Sequence, residues 1–297
     1  VLTAIYVIAG GYMATAINDF IQGIIMLFGI ATVIAAVLNS KDGFMAALDG
    51  LAKVSDPAVT DTPGIFASFF GPDPFNLLFV VILTSLGTWG LPQMVQKFYA
   101  IKDEKSIKKG TIISTIFALV VAGGSYFLGG FGRLFSDEID VAANGYDSII
   151  PTMLSGLSPM LIALVVILVL SASMSTLSSL VIASSSTLTI DFLKDNFIKD
   201  MSDKKQVLSI RILVVVFIAI SSILALIQYK SSITFIAQLM GVSWGALAGS
   251  FLAPFMYSLY SKRVTKASCW VCFIFSSVLM IANIFFRSSF PTIMQSP

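Results

Sequence analysis

Histidine is absent from the 297 residues, and cysteine occurs only twice. The first absence removes, within this chain, the Ser-His and Cys-His pairs of nucleophilic catalysis and the imidazole ligands of the usual zinc sites. An enzyme is therefore not expected. The two cysteines, Cys269 and Cys272, form a CxxC inside an uncharged run. With no second pair beside them, they read as small lipid- or core-facing residues rather than a metal or redox centre. Charge is scarce as well: Asp, Glu, Lys and Arg make up 11% of the chain, against about 25% in a soluble domain. The net charge of +2 gives no reason to expect nucleic acid as a partner.

What the sequence has instead is apolar length. Hydrophobic residues make up 57% of it, and the mean hydropathy is +0.92. Residues 20–40, 74–96, 110–132, 148–190, 212–229, 231–261 and 267–286 carry no charge. A helix that crosses a bilayer needs roughly 20 such residues. The expected spans are 17–38, 76–97, 108–130, 156–187, 206–228, 232–259 and 266–286, after the tail of another at 1–9. The fold class is thus an all-α integral membrane protein of about eight spans, with the lipid bilayer as its first partner. Continuous rather than alternating apolar runs exclude a closed β-barrel. The chain starts at Val1 inside an apolar stretch, so it is expected to begin within a longer protein.

Basic residues orient the spans. Lys97, Lys102, Lys105, Lys108 and Lys109 lie in one loop, and Lys194, Lys199, Lys204, Lys205 and Arg211 in another. Lys262, Arg263 and Lys266 lie in a third, and together these are thirteen of the eighteen Lys and Arg. The intervening loops hold Asp42, Asp49, Asp56, Asp61 and Asp73, then Asp137, Glu138, Asp140 and Asp147. With alternating spans, all three basic loops fall on the cytoplasmic side. The long external loops, 39–75 and 131–155, read either as solvated connections or as carriers of short helices over an entrance.

Charged residues inside spans mark ion or proton pathways. Asp19 is placed near the cytoplasmic start of its helix and Asp191 near the end of another, so a relay of buried carboxylates is not expected. An ion site would then use neutral oxygens, which suit sodium, a hard cation. One stretch is rich in them: Ser171 to Ser179, followed by Ser184, Ser185, Ser186 and Thr187. Within it Ala172, Ser175 and Thr176 share a face by their i, i+3, i+4 spacing. Close helix packing by small residues explains the same composition. A second stretch, Thr84-Ser85-Leu86-Gly87-Thr88-Trp89-Gly90-Leu91-Pro92-Gln93, interrupts an apolar span with two glycines and a proline. It reads as a proline kink, or as a broken helix whose freed backbone groups, Ser85, Thr88 and Gln93 bind a polar solute beside Trp89. A third stretch combines Gln238 with Gly241, Ser243, Trp244, Gly245 and Gly249. It reads as helix packing, or as a cavity wall to which Gln238 and Ser243 contribute.

These residues resemble the sodium:solute symporters. Ile8-Ala9-Gly10-Gly11-Tyr12-Met13-Ala14 with Asp19-Phe20-Ile21-Gln22-Gly23 is similar to the family's glycine-pair turn and Asp-x-x-Gln helix entry. The segment from Gly90 through Pro92 to Lys97 resembles its Gly-x-Pro element. Ser173-Met174-Ser175-Thr176 with Ser184-Ser185-Ser186 and Asp191-Phe192 resembles its Met-Ser-Thr sodium motif. The resemblance implies the second half of a five-plus-five inverted-repeat transporter bundle in the plasma membrane. Residues 1–38 would end the first repeat, 39–75 would be an extracellular loop, 76–259 the second repeat, and 260–297 a peripheral helix and tail. It implies sodium as coupling ion, held by Ala172, Ser175 and Thr176 together with N-terminal helices that lie outside this chain. It also implies a small organic solute, such as proline or pantothenate, near Ser85, Thr88 and Trp89. The same fold serves as the membrane input module of sensor histidine kinases, which is the alternative.

Overall fold

The computed structural model describes residues 2–57, 59–99, 101–139, 145–231 and 236–286. It is almost wholly helical. The long helices are α1 (Leu2–Asn39), α5 (Glu104–Gly130), α7 (Pro159–Thr187), α8 (Asp203–Ser231), α9 (Ile236–Tyr260) and α10 (Lys266–Phe285). The short ones are α2 (Phe44–Lys53), α3 (Pro74–Ser85), α4 (Pro92–Tyr99) and α6 (Ile149–Ser155). Among the described residues five helices are long and apolar enough to cross a membrane, and six if the bent pair α3–α4 is one span. The sequence reading counts two more, the first arm of α1 and α9. The first arm is too short to cross alone, and the N-terminal side chains of α9 lie outside the described residues.

The helices begin where local chemistry supplies their free amide groups with acceptors. Asp73 accepts from the Asn76 amide at 3.0 Å, with Pro74 in the first turn. Asp103 accepts from the Ser106 amide at 2.7 Å, and that bond holds its carboxyl below the usual carboxylate range. Thr265 and Ser268 form a reciprocal capping box at the start of α10.

The chain divides into two compact units. One comprises residues 1–48 and 103–233, the other residues 49–102 and 234–297. In the first, α1 packs on α7 and α5, and α7 on α8. Ile30, Val33 and Val37 of α1 form a core with Leu128, Phe135, Met153 and Leu154. The loop between α5 and α7 is therefore no plain solvated connection. It folds into a 3₁₀ turn (Phe131–Glu138) and α6, whose apolar side chains close one end of the helix bundle. The first long loop likewise carries α2, whose Phe44 lies against Phe127 and Phe131 at ring separations of 6.0 and 6.3 Å.

Helix α1 is two arms joined at Gly11, where φ is 58° and ψ −151°. Only glycine adopts that conformation without strain. The Tyr6 hydroxyl donates to the Met174 carbonyl at 3.2 Å, and Asp19 lies 3.5 Å from the Ser178 hydroxyl. In a straight helix Tyr6 and Asp19 would stand about 20 Å apart along the axis, whereas Met174 and Ser178 are separated by about 6 Å. Both contacts are made because the chain folds back at Gly11, laying both arms along one stretch of α7. Val7 of the first arm is buried with Val181 of α7 and with Val214 and Ile218 of α8.

In the second unit the broken span α3–α4 and the helix pair α9–α10 pack together. Gly245 and Gly249 of α9 face Met280 and Ser276 of α10, the close approach that small residues permit. The Cys272 thiol donates to the Gly249 carbonyl at 3.1 Å, consistent with a small packing residue at that position.

A hydroxyl-rich helix face and a broken span

In α7 the side chains of Ser171, Ser178, Val181 and Ser185 are buried. Residues seven apart return to nearly the same side of a helix, so Ser171, Ser178 and Ser185 make one stripe. Ala172, Ser175 and Thr176 centre about a third of a turn round from it, at about 100° of rotation per residue, with Ser175 nearest the stripe and Thr176 farthest. The structure leaves that second stripe open: Thr176 is exposed, and Ala172 and Ser175 are half-buried. The Thr176 hydroxyl donates to the Ala172 carbonyl at 3.1 Å, and the Ser178 hydroxyl to the Ser175 carbonyl at 2.9 Å. A hydroxyl that donates keeps its acceptor lone pairs. The Thr176 oxygen is thus fixed beside the Ala172 carbonyl and keeps its own acceptor lone pairs. Among the described residues no group of three His, Cys, Asp or Glu side chains could hold a metal ion. Neutral oxygens are what this face offers.

The covered stripe of α7 holds residues that sequence reasoning missed. Asp19 was expected at the cytoplasmic start of its helix. It lies instead eight residues past the fold at Gly11, half-buried against the fully buried Ser178. The carboxylate therefore reaches the side of the serine-rich helix. Around it, Thr15 and Gln22 are buried, as are Ser185 and Thr189, the last in a π-helical turn (Leu188–Lys194) that extends α7. Asn18 Nδ2, Gln22 Oε1, Ser185 Oγ and Thr189 Oγ1 are buried without a hydrogen-bond partner. Leaving such a group unpaired costs about 1–3 kcal/mol, and membrane proteins keep them where polar species pass or bind. A signal was present in the sequence. Thr15, Asn18, Asp19 and Gln22 continue the three- and four-residue spacing of Met26, Ile30, Val33 and Val37, which is the core-facing stripe of α1.

The broken span is built around one bend. Helix α3 ends at Ser85, residues Gly87–Gly90 form a 3₁₀ turn, and α4 starts at Pro92 with its axis turned by 49°. Pro92 has no amide hydrogen and forces the residue before it out of the helical region. Leu91 is accordingly extended, with φ −79° and ψ 117°. Gly90 lies directly on α9: a Cβ there would come within 3.0 Å of the Ala248 Cα and the Leu252 backbone nitrogen. With the glycines against α9, Trp89 is 55% exposed and Ser85 is exposed, while Thr88 and Gln93 are half-buried. The Thr88 hydroxyl donates to the Ser85 carbonyl at 2.8 Å. The break thus brings Ser85, Thr88 and Trp89 into one short turn. Gln238 falls in the first turn of α9, and its side chain lies outside the described residues. The Ser243 hydroxyl, on the next turn, donates to the Met240 carbonyl.

Long apolar helices, one of them broken at a Gly-Leu-Pro bend and another carrying a hydroxyl stripe, define a multi-pass helical protein of the plasma membrane. The chain belongs to the Sodium:solute symporter family, whose profile matches residues 1–275. That family is one of transporters, not enzymes. The chain is 25% identical over 266 residues to the osmoregulated proline transporter OpuE of Bacillus subtilis (strain 168), covering 89% of this chain and 52% of the relative. It is 29% identical over 271 residues to a sodium/proline symporter of Staphylococcus aureus, at 88% and 50% coverage. With the sodium/pantothenate symporter of Escherichia coli (strain K12) it shares 26% identity over 292 residues, at 93% and 55% coverage. The chain spans about half the length of the curated relatives it matches.

Proposed function

We propose that the chain is part of a sodium-coupled symporter of a small organic solute, an amino acid such as proline or a carboxylate such as pantothenate. The observation that carries the reading is the open stripe of Ala172, Ser175 and Thr176, with its paired hydroxyl and carbonyl oxygens. The named relatives support the substrate classes and give the sensor-kinase reading no support. In this reading residues 1–38 end the first inverted repeat and 76–259 form the second. The loop 39–75 is extracellular, and 260–297 form a peripheral helix and tail.

Sodium from outside binds the α7 stripe together with oxygens from N-terminal helices of the full protein. The solute binds at the broken span, where Ser85, Thr88, Gln93 and the freed backbone groups take its polar atoms and Trp89 covers its apolar part. Gln238 contributes from α9. Sodium and solute both favour the outward-facing conformation, so each raises the affinity for the other. Inward rocking then releases both where sodium is scarce.

The test is uptake of labelled proline and labelled pantothenate by the full-length protein in proteoliposomes, with an inward sodium gradient or a matched potassium gradient. Sodium-dependent accumulation of one of the two is expected. Accumulation of neither, or uptake indifferent to sodium, refutes the reading.

A further inference from the structure

The turn between α9 and α10 borders an open surface cavity of about 280 Å³. Its rim is polar, formed by Tyr257, Ser261, Arg263 and Ser268, and its wall is apolar, with Ala253, Pro254 and Val264. The backbone shapes the turn. The Ser261 amide donates to the Tyr257 carbonyl at 2.8 Å, and the Arg263 amide donates to the Ser261 hydroxyl oxygen at 3.2 Å. Arg263, Lys262 and Lys266 are all exposed. No Asp or Glu occurs after Asp203 in the sequence, so α9, α10 and their turn contain no carboxylate to balance these three cations. Tyr257, Tyr260 and Trp270 stand exposed around the same turn, the aromatic placement that marks the headgroup level of a bilayer. The turn is one of the basic loops that the charge bias assigns to the cytoplasmic side.

We propose that this cavity binds an anionic phospholipid of the cytoplasmic leaflet. The planar guanidinium of Arg263 matches a phosphodiester with paired donors. The hydroxyls of Tyr257 and Ser261 complete the polar rim, and the first part of an acyl chain lies along Ala253, Pro254 and Val264. The volume is at the small end of ligand sites, which run to about 300–1,000 Å³. It therefore takes the headgroup and the first part of one chain and leaves the rest of the lipid in the bilayer. Basic pockets between spans on the cytoplasmic side have this chemistry, and the uncompensated charge selects an anionic lipid over a zwitterionic one.

The experiment is native mass spectrometry of the full-length protein titrated with phosphatidylglycerol, phosphatidylcholine or inorganic phosphate. Retention of phosphatidylglycerol over phosphatidylcholine is expected. Arg263→Ala lowers that retention about fivefold, the order of one lost surface cation. Ala253→Phe, which fills the apolar wall, lowers it too, while Lys199→Ala, in a different basic loop, leaves it unchanged. Equal retention of the two lipids overturns the proposal, as does an Arg263→Ala protein that binds like the wild type. Displacement of phosphatidylglycerol by millimolar phosphate overturns the lipid assignment in favour of a free anion.

Discussion

Removing the hydroxyls of Ser175 and Thr176 tests the ion site most directly. The Thr176 hydroxyl is exposed and, among the described residues, bonded to the carbonyl of its own helix, Ala172, at 3.1 Å. That bond is an i−4 back-bond within one turn of its own helix, which adds nothing net to helix stability, and alanine is the better helix former. Folding should hardly notice. A coordinated cation loses a ligand oxygen outright, at about 1–2 kcal/mol each. The half-buried Ser175 adds a second loss. Thr176→Ala in the full-length protein should therefore raise the sodium concentration for half-maximal uptake about tenfold, and the double Ser175→Ala, Thr176→Ala variant should raise it further, at about 1.4 kcal/mol per factor of ten. Thr176→Ser, which keeps the oxygen, should restore near-normal sodium dependence. The assay is solute uptake in proteoliposomes as a function of sodium, with thermal unfolding in parallel. Unchanged sodium dependence in the double variant would refute the ligand role. A sodium shift matched by an equal loss of thermal stability would mean that the hydroxyls hold the helix and not the ion.

Other substitutions probe the geometry around the site. Gly11→Ala places a side chain at φ 58° and ψ −151° and should destabilise the fold-back by about 1–3 kcal/mol, measured by thermal unfolding in detergent; an unshifted transition would show that the arms of α1 do not depend on that conformation. Gly90→Ala drives a Cβ to 3.0 Å from the backbone of α9 and should lower stability by about 1–3 kcal/mol while altering solute affinity more than sodium affinity; the reverse order in uptake assays would count against the broken span as the solute site. Ser185→Ala removes a buried hydroxyl without a partner and should be neutral or stabilising, whereas Ser178→Ala removes a buried hydroxyl bonded to the Ser175 carbonyl and facing Asp19 and should cost about 1–2 kcal/mol. Equal unfolding temperatures for those two variants would contradict the hydrogen-bond assignment.

Much of this architecture was legible in the linear chain because its rules are local. Twenty apolar residues announce a span whatever they touch, and the cap residues Asp73, Asp103 and Thr265 satisfy helix starts within three positions. The missing amide of Pro92 breaks the helix at the residue before it. The spacing of Ala172, Ser175 and Thr176 put them on one side of a helix, and the family match over residues 1–275 agrees with the resemblance carried by that motif.

The tertiary structure decided which side of a helix meets what. Periodicity says that residues share a face; it does not say whether that face is covered. Only the register of α1 on α7, set by contacts such as Asp19 to Ser178 across 159 positions, separates the buried serine stripe from the open one beside it. The fold-back at Gly11 moved Asp19 from an expected helix start to the flank of α7, because one residue's torsion angles redirect everything that follows. The approach of Gly90 to α9 likewise turned a proline kink into a bend with a defined outer side. Spans, caps and breaks come from neighbours in sequence, whereas the covered and open faces come from long-range packing, which no single helix encodes.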